Sequence, residues 1–589
     1  MLRDKPCTCI ITTASDENTT IFIMSKSIRL FSAIIILYLI TGCVLPEPVP
    51  VHEPIRLTAT PAETSTSSEV VSTETVVLET KQELKLWIST LLPSFFRDGF
   101  LSINDVSIVK EKSESELTIE LTKSGEAADF TYYYVLAATF STLTDNVSRE
   151  DFINVWRGKN QNVLNNSPLL LSTDTLEKLE AVLGVCNYPG LRISDEITYD
   201  RLDWREPDIY AVMPFEALTP NLKVIKINEA NILDIGFTGA TYPLVLNFSI
   251  KDSVGTEFPG QELIPVTNRK SSEITRLLMT GVTALVRRLG VLMETKGATY
   301  PASEIIPLIQ SADLLHISNE VAFAETCPAA NWYQKSLQFC SRPEYIELLD
   351  FLKPDVIELT GNHLLDWDVP AFEETIRLYE NRGWPVYAGG ISLSKAREPV
   401  IIVHNGNKMA FIGCNIAGPE FVWAKEDRAG AASCDFDKME NQIVELSSEG
   451  YLPIVTLQYY EYYDTKPSPE QVKDFGRLAA AGAVIVQGSQ SHVPQTMKVA
   501  EKSFIHYGLG NFLFDQMRNP DGLGHLIDLG SGDAYPAVRL EMLDLHTFYQ
   551  GRLINTELLT TILEESGKPR PMTEGERKMF LQYLFEKAR

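Results

Sequence analysis

Four short polar clusters, each directly behind a run of strand-forming residues, constrain this chain more than any other feature of its sequence. Asp313 to Ile317 leads into Ser318-Asn319-Glu320, and Asp355 to Thr360 into Gly361-Asn362-His363, with Asp366 three residues on. Ala483 to Gln487 leads into Gly488-Ser489-Gln490-Ser491-His492, and Phe504 to Tyr507 into Gly508-Leu509-Gly510-Asn511. Lys408 to Cys414 and Tyr451 to Leu457 are further β-type runs. Helices fall between most of them. Pro370 to Arg382 places Phe372, Ile376 and Tyr379 on one face and stops at Gly383, and Ser468 to Ala481 opens on a Ser-x-x-Gln box. Such alternation from about Ile274 onward predicts a layered α/β domain whose sites form at the carboxyl ends of strands.

One such cluster alone is most simply a turn, because Gly, Asn, Ser and Asp are turn residues. Four of them behind four strands read as a site. Asn, His and carboxylate side chains on a rigid sheet edge are the groups a two-metal phosphoesterase needs, its cations ~3.5–4 Å apart.

The segments LLDFLKPDVIELTGNHLLDWD, SKAREPVIIVHNGNKMAFIGCN and AAAGAVIVQGSQSHVPQ…FIHYGLGNFLFDQ resemble the CapA family of poly-γ-glutamate capsule synthesis proteins, from about Arg276 to Gln516. The resemblance implies a calcineurin-like metallophosphoesterase fold. It also marks departures. Gly281 is followed by Val282 where the family carries a ligating Asp. Glu320, Asn362, His363 and His492 keep family residues, whereas Gln458 and Gln490 replace imidazoles. One carboxylate against the +4 of two divalent ions disfavours a metal pair and leaves one weakly held divalent cation or none. Glu320, Asn362, His363 and His492 are the expected catalytic residues and the weak metal candidates; Gln458, Glu461, Gln490 and Asn511 are the expected substrate contacts. Tyr459, Tyr460, Tyr462 and Tyr463 around Glu461 suit stacking on an extended polymer, or plain packing with wet hydroxyls. Arg397 suits a substrate carboxylate or a structural ion pair.

Ahead of this domain, residues 81–268 read as mixed α and β: an amphipathic helix over Trp87 to Phe96, a strand over Glu116 to Thr122, and a capped helix Phe152 to Trp156 closed by Gly158. NVSREDFINVWRGK and DIYAVMPFEALTPNLKVIKIN resemble phosphate-type periplasmic solute-binding proteins, which implies a binding-protein-like α/β domain. No oxyanion-holding set of residues stands out in it. The expected organisation is therefore a leader (1–43), a linker (44–80), a solute-binding-protein-like domain (81–268) and a CapA-like domain with its extension (269–589).

Lys26 and Arg29 precede an eleven-residue apolar run, Leu30 to Ile40, and Ile40-Thr41-Gly42 precede Cys43. At 1.5 Å per residue that run is too short for ~30 Å of hydrocarbon, so it reads as a signal peptide. Small residues before Cys43 resemble a bacterial lipobox, which implies acylation of that thiol; an ordinary signal peptide with an incidental Cys is the alternative. The Pro-rich, then Ser/Thr/Glu-rich stretch Val44 to Lys81 suits a spacer. Export to the outer face of the bacterial cell membrane, anchored through lipid, follows from that reading.

In that compartment the Cys327/Cys340 and Cys414/Cys434 spacings predict two local disulfides with Cys186 free and buried; four buried thiols are the alternative. With 52 Lys+Arg against 78 Asp+Glu, the net charge of −26 offers no basic face to nucleic acid. Two functions remain open: a hydrolase or transferase working on an anionic envelope polymer, and a non-catalytic surface protein that binds a polymer or small solute.

Overall fold

The computed structural model describes residues 83–589 except 124–125, 160–161, 165, 197, 253–257, 259–260, 517–524, 531 and 533. The expected leader, linker and lipid-bearing Cys43 lie outside the described residues. Two of the sheets build the carboxyl-terminal half. The first runs Val386–Tyr387, Val356–Glu358, Leu314–Asn319, Ile274–Thr283, Leu540–Tyr549, Arg552–Leu563, Pro569–Pro571. Its first four strands are parallel and the rest antiparallel. The second runs Val400–His404, Asn407–Asn415, Leu452–Gln458, Ile485–Ser489, Ser503–His506, Met497–Ala500, with four parallel strands at its centre.

The period-2 alternation of side chains decides which layer each residue joins. Leu277 and Met279 face inward and share a core with Met409, Phe411, Ile454, Ile485 and Phe504 of the opposite sheet. Their neighbours Leu278, Leu315, Ile317 and Ile357 face outward, under Leu289 and Met293 of the helix Arg287–Lys296 and Phe372 and Ile376 of the helix Val369–Glu380. On the far side Ile412, Val455, Leu457 and Val486 pack beneath the helices Phe436–Ser448 and Pro469–Ala481. The result is four layers, helix–sheet–sheet–helix. The Ile274–Thr283 strand is buried along its whole length, as a strand covered on both faces must be.

The amino-terminal half is mixed α/β, with a nine-stranded sheet centred on Phe130–Thr139 and Val245–Asp252. The helix expected over Trp87 to Phe96 is instead a strand, Leu84–Ile88, followed by a helix Ser94–Leu101. Pro93 explains the difference: it has no N–H to give a helix interior, and it stands at the amino-terminal cap. Ser148 caps the helix Arg149–Trp156, accepting from the Asp151 N–H at 2.9 Å. Residues Thr80–Arg589 form one compact unit. Along the seam between the halves Asn555 Oδ1 accepts from the Val224 N–H at 3.0 Å, Lys226 pairs with Glu557 at 3.2 Å, and Arg577 pairs with Asp145.

Disulfides join Cys327 to Cys340 and Cys414 to Cys434. Cys186 is free but only half-buried, in contrast to the expected burial.

Candidate functional site

Glu320 follows the last residue of Leu314–Asn319, Gln458 ends Leu452–Gln458, and Gln490 follows Ile485–Ser489. Parallel strands with a common direction bring these tips to one edge of the two-sheet layer. Gln458 is the hub. Its Nε2 donates to Glu320 Oε1 and to Asn362 Oδ1, each at 3.2 Å, and to Gln490 Oε1. Its Oε1 accepts from Ser489 Oγ at 2.6 Å, on the side away from the other three side chains. Glu320, Gln458 and Gln490 are buried, whereas Asn362 is half-exposed and marks the solvent side. Glu320 Oε2 is buried with no hydrogen-bond partner among the described residues.

Close approach of the tips depends on glycine. A Cβ on Gly361 would lie 2.6 Å from the Glu320 Cα, so a side chain there would force the two loops apart. Gln490 (φ 77°) and His492 (φ 52°) sit in the left-handed region, which costs L-residues on the order of 1 kcal/mol each. That cost aims the His492 ring at Asn511, whose Oδ1 lies 2.9 Å from Nδ1.

His492 and Asn511 belong to a second, adjoining group. The His492 ring stacks on Tyr463 at 6.2 Å and meets Phe514 at 5.4 Å. Gln516 donates to the Tyr463 hydroxyl at 2.8 Å, and that hydroxyl donates to Glu461. Glu461 is exposed and holds Tyr463 in place. Tyr460 and Tyr462 are exposed at the rim, while Tyr459 is buried and donates to Asp474 at 2.9 Å. Arg397 does not join the site; it donates to the Ser433 carbonyl at 3.2 Å.

His363 stands on the solvent side, its Nδ1 2.6 Å from Asp366 Oδ2 and its ring edge-on to Phe339 at 4.8 Å. Burial pulls its pKa down, but the Asp366 hydrogen bond and the Glu320 charge outweigh that, and the net shift is upward. Asp366→Asn is therefore expected to lower the His363 pKa, read from the imidazole proton shifts in an NMR titration. An unchanged midpoint would remove Asp366 from that role.

Sequence reading missed Arg287. Its guanidinium lies over Phe339 at 4.7 Å and Phe514 at 5.9 Å, and its Nε is buried without a hydrogen-bond partner among the described residues. Burial pulls it below the usual guanidinium range, against the opposing charges of Asp515 and Glu320. Its position four residues past the Ile274–Thr283 strand was the available signal, since that strand ends at the same sheet edge.

Two facing α/β sheets between helical layers, with one polar cluster where the parallel strands end, define the calcineurin-like metallophosphoesterase class of fold. Residues 276–516 match the family model described as bacterial capsule synthesis protein PGA_cap. The capsule biosynthesis protein CapA of Bacillus anthracis is 24% identical over 263 residues, which span 44% of this chain and 63% of that protein. The PGA biosynthesis protein CapA of Bacillus subtilis (strain 168) is also 24% identical, over 44% of this chain and 68% of its own length. Among solved structures, a 5'-nucleotidase precursor from Thermus thermophilus aligns at 13% identity and a TM-score of 0.28, covering 54% of this chain and 59% of that one.

The fold class implies a pair of divalent ions, and the residues here do not fit one. Among the described residues no group of three or more His, Cys, Asp or Glu side chains is placed to hold a metal. Val282 is buried in an apolar cluster with Ala284, Val286, Val321, Phe339 and Phe514.

Proposed function

We propose that this protein acts in the synthesis of a capsule-type envelope polymer, and that its strand-end site holds an acidic polymer of the poly-γ-glutamate kind. The match of residues 276–516 to the PGA_cap family model supports the setting. The Lys26–Cys43 leader supports export and a lipid anchor on the outer face of the cell membrane. Arg287 carries the polymer reading. It is a fixed cation whose Nε–H has no hydrogen-bond partner among the described residues, close enough to His363 to act on that imidazole, whose pKa is raised. The overall negative charge of the chain does not forbid this, because exposed charges more than ~10 Å away are screened at physiological salt.

Wild-type protein is expected to bind fluorescently labelled poly-γ-glutamate, with affinity falling as salt rises. Arg287→Ala should weaken binding by about tenfold, the scale of one charge-assisted contact. No binding by wild type, or equal binding by the variant, discards the reading.

A second reading, hydrolysis or transfer on the same polymer, draws on the His363–Asp366 dyad, whose geometry leaves the other imidazole nitrogen for proton transfer. Chain shortening or ligation by wild type that disappears in His363→Ala distinguishes it from binding alone.

A further inference from the structure

We infer that the Gln458 carboxamide does here what a cation does in a metal-bearing site of this fold: it draws together oxygens from three separate strand tips, so that the site assembles without metal.

Three acceptors, Glu320 Oε1, Asn362 Oδ1 and Gln490 Oε1, converge on the single nitrogen Nε2 of Gln458. Those residues lie 138, 96 and 32 positions from Gln458 in the chain. Oxygens repel one another unless something positive lies between them, and an amide N–H₂ supplies partial positive charge with two hydrogens, one of them shared between two of the three acceptors. In this arrangement the Ser489 hydroxyl donates to the amide oxygen at 2.6 Å. The surroundings agree. Glu320 is the one carboxylate of this cluster, so a dication would carry excess charge into a buried site. On the neighbouring strand tip Val282 lies among apolar side chains that offer no donor.

The test compares full-length wild type with Gln458→Glu, which keeps the side-chain shape but exchanges the donating N–H₂ for a second carboxylate. Thermal unfolding is followed with chelator and with Mn²⁺, and bound metal is measured by mass spectrometry after dialysis. Wild type should carry no stoichiometric metal and show the same Tm in both conditions. Gln458→Glu should melt lower in chelator and recover with Mn²⁺. Stoichiometric metal in wild type, with a Tm raised by Mn²⁺, overturns the inference. So does a variant as stable as wild type in chelator, because the amide N–H would then not be what holds the oxygens. If the variant fails to fold, Gln458→Met removes the donor without adding charge. Its soluble protein should be less stable in chelator and unresponsive to Mn²⁺, and equal stability to wild type again overturns the inference. Neither readout involves polymer, so failure here is separate from failure of the binding reading.

Discussion

Replacing Glu541 by glutamine is expected to stabilise the protein increasingly as pH rises above about 5, reaching on the order of 4 kcal/mol by pH 9. Glu541 lies in the Leu540–Tyr549 strand with no exposed surface. Its Oε2 accepts from Thr561 Oγ1 at 2.6 Å, but Oε1 has no hydrogen-bond partner among the described residues. Burial disfavours the charged form and pushes the carboxyl from 4.5 up to about 8, against the smaller lowering effect of Thr561. Between those two values the unfolded chain gives up the proton and the folded chain keeps it, so wild-type stability falls with rising pH. Above about 8 both states are ionised and the penalty is constant. Glutamine never ionises and escapes the loss. Urea unfolding of both proteins at pH 5, 7 and 9 checks this: the two stability profiles should diverge, and parallel profiles would falsify the assignment. Glu358, likewise buried and raised to about 7, remains in both proteins, so the difference isolates Glu541.

The second large effect concerns the Cys414–Cys434 bridge. Replacing both cysteines by alanine should cost about 3 kcal/mol, the chain-entropy value for a loop of about 20 residues. Inside that loop Asn415 accepts from the Gly418 N–H at 2.7 Å and from Trp423 Nε1 at 3.1 Å. Its own Nδ2 donates to the Thr360 carbonyl at 2.7 Å, two residues before Asn362. The bridge thus steadies the loop that carries part of the site. In urea unfolding without reductant the double variant, which keeps the Cys327–Cys340 bridge, should fall below oxidised wild type by that amount. Equal stability of oxidised wild type and variant would mean the bridge constrains little.

The layered fold was legible because hydrophobic runs and the glycine-bearing clusters behind them are local features. Each cluster sits where a strand ends, and four of the expected site residues, Glu320, Asn362, Gln458 and Gln490, meet around one amide. His492 and Asn511 make the neighbouring group. What the sequence could not reveal is contact between distant positions: nothing near Gln458 indicates that its N–H₂ faces Glu320. Arg287 was missed for the same reason, since it acts through rings of Phe339 and Phe514 contributed from elsewhere. The strands Leu540–Tyr549 and Arg552–Leu563 were overlooked although a signal existed. Between them lies Gln550-Gly551, both at positive φ (50° and 71°), the backbone of a tight hairpin turn. The misread Trp87 to Phe96 helix contained its own refutation in Pro93.

That hairpin also separates ancestry from self-sufficiency. The matched stretch stops at Gln516, yet the Ile274–Thr283 strand takes its second neighbour from Leu540–Tyr549. A gene fragment trimmed to the homologous boundaries would bare one whole flank of the central strand of its first sheet, an open template on which other copies could stack. The smallest piece able to stand alone therefore reaches well beyond Gln516, into strands that lie outside the family match but close the sheet.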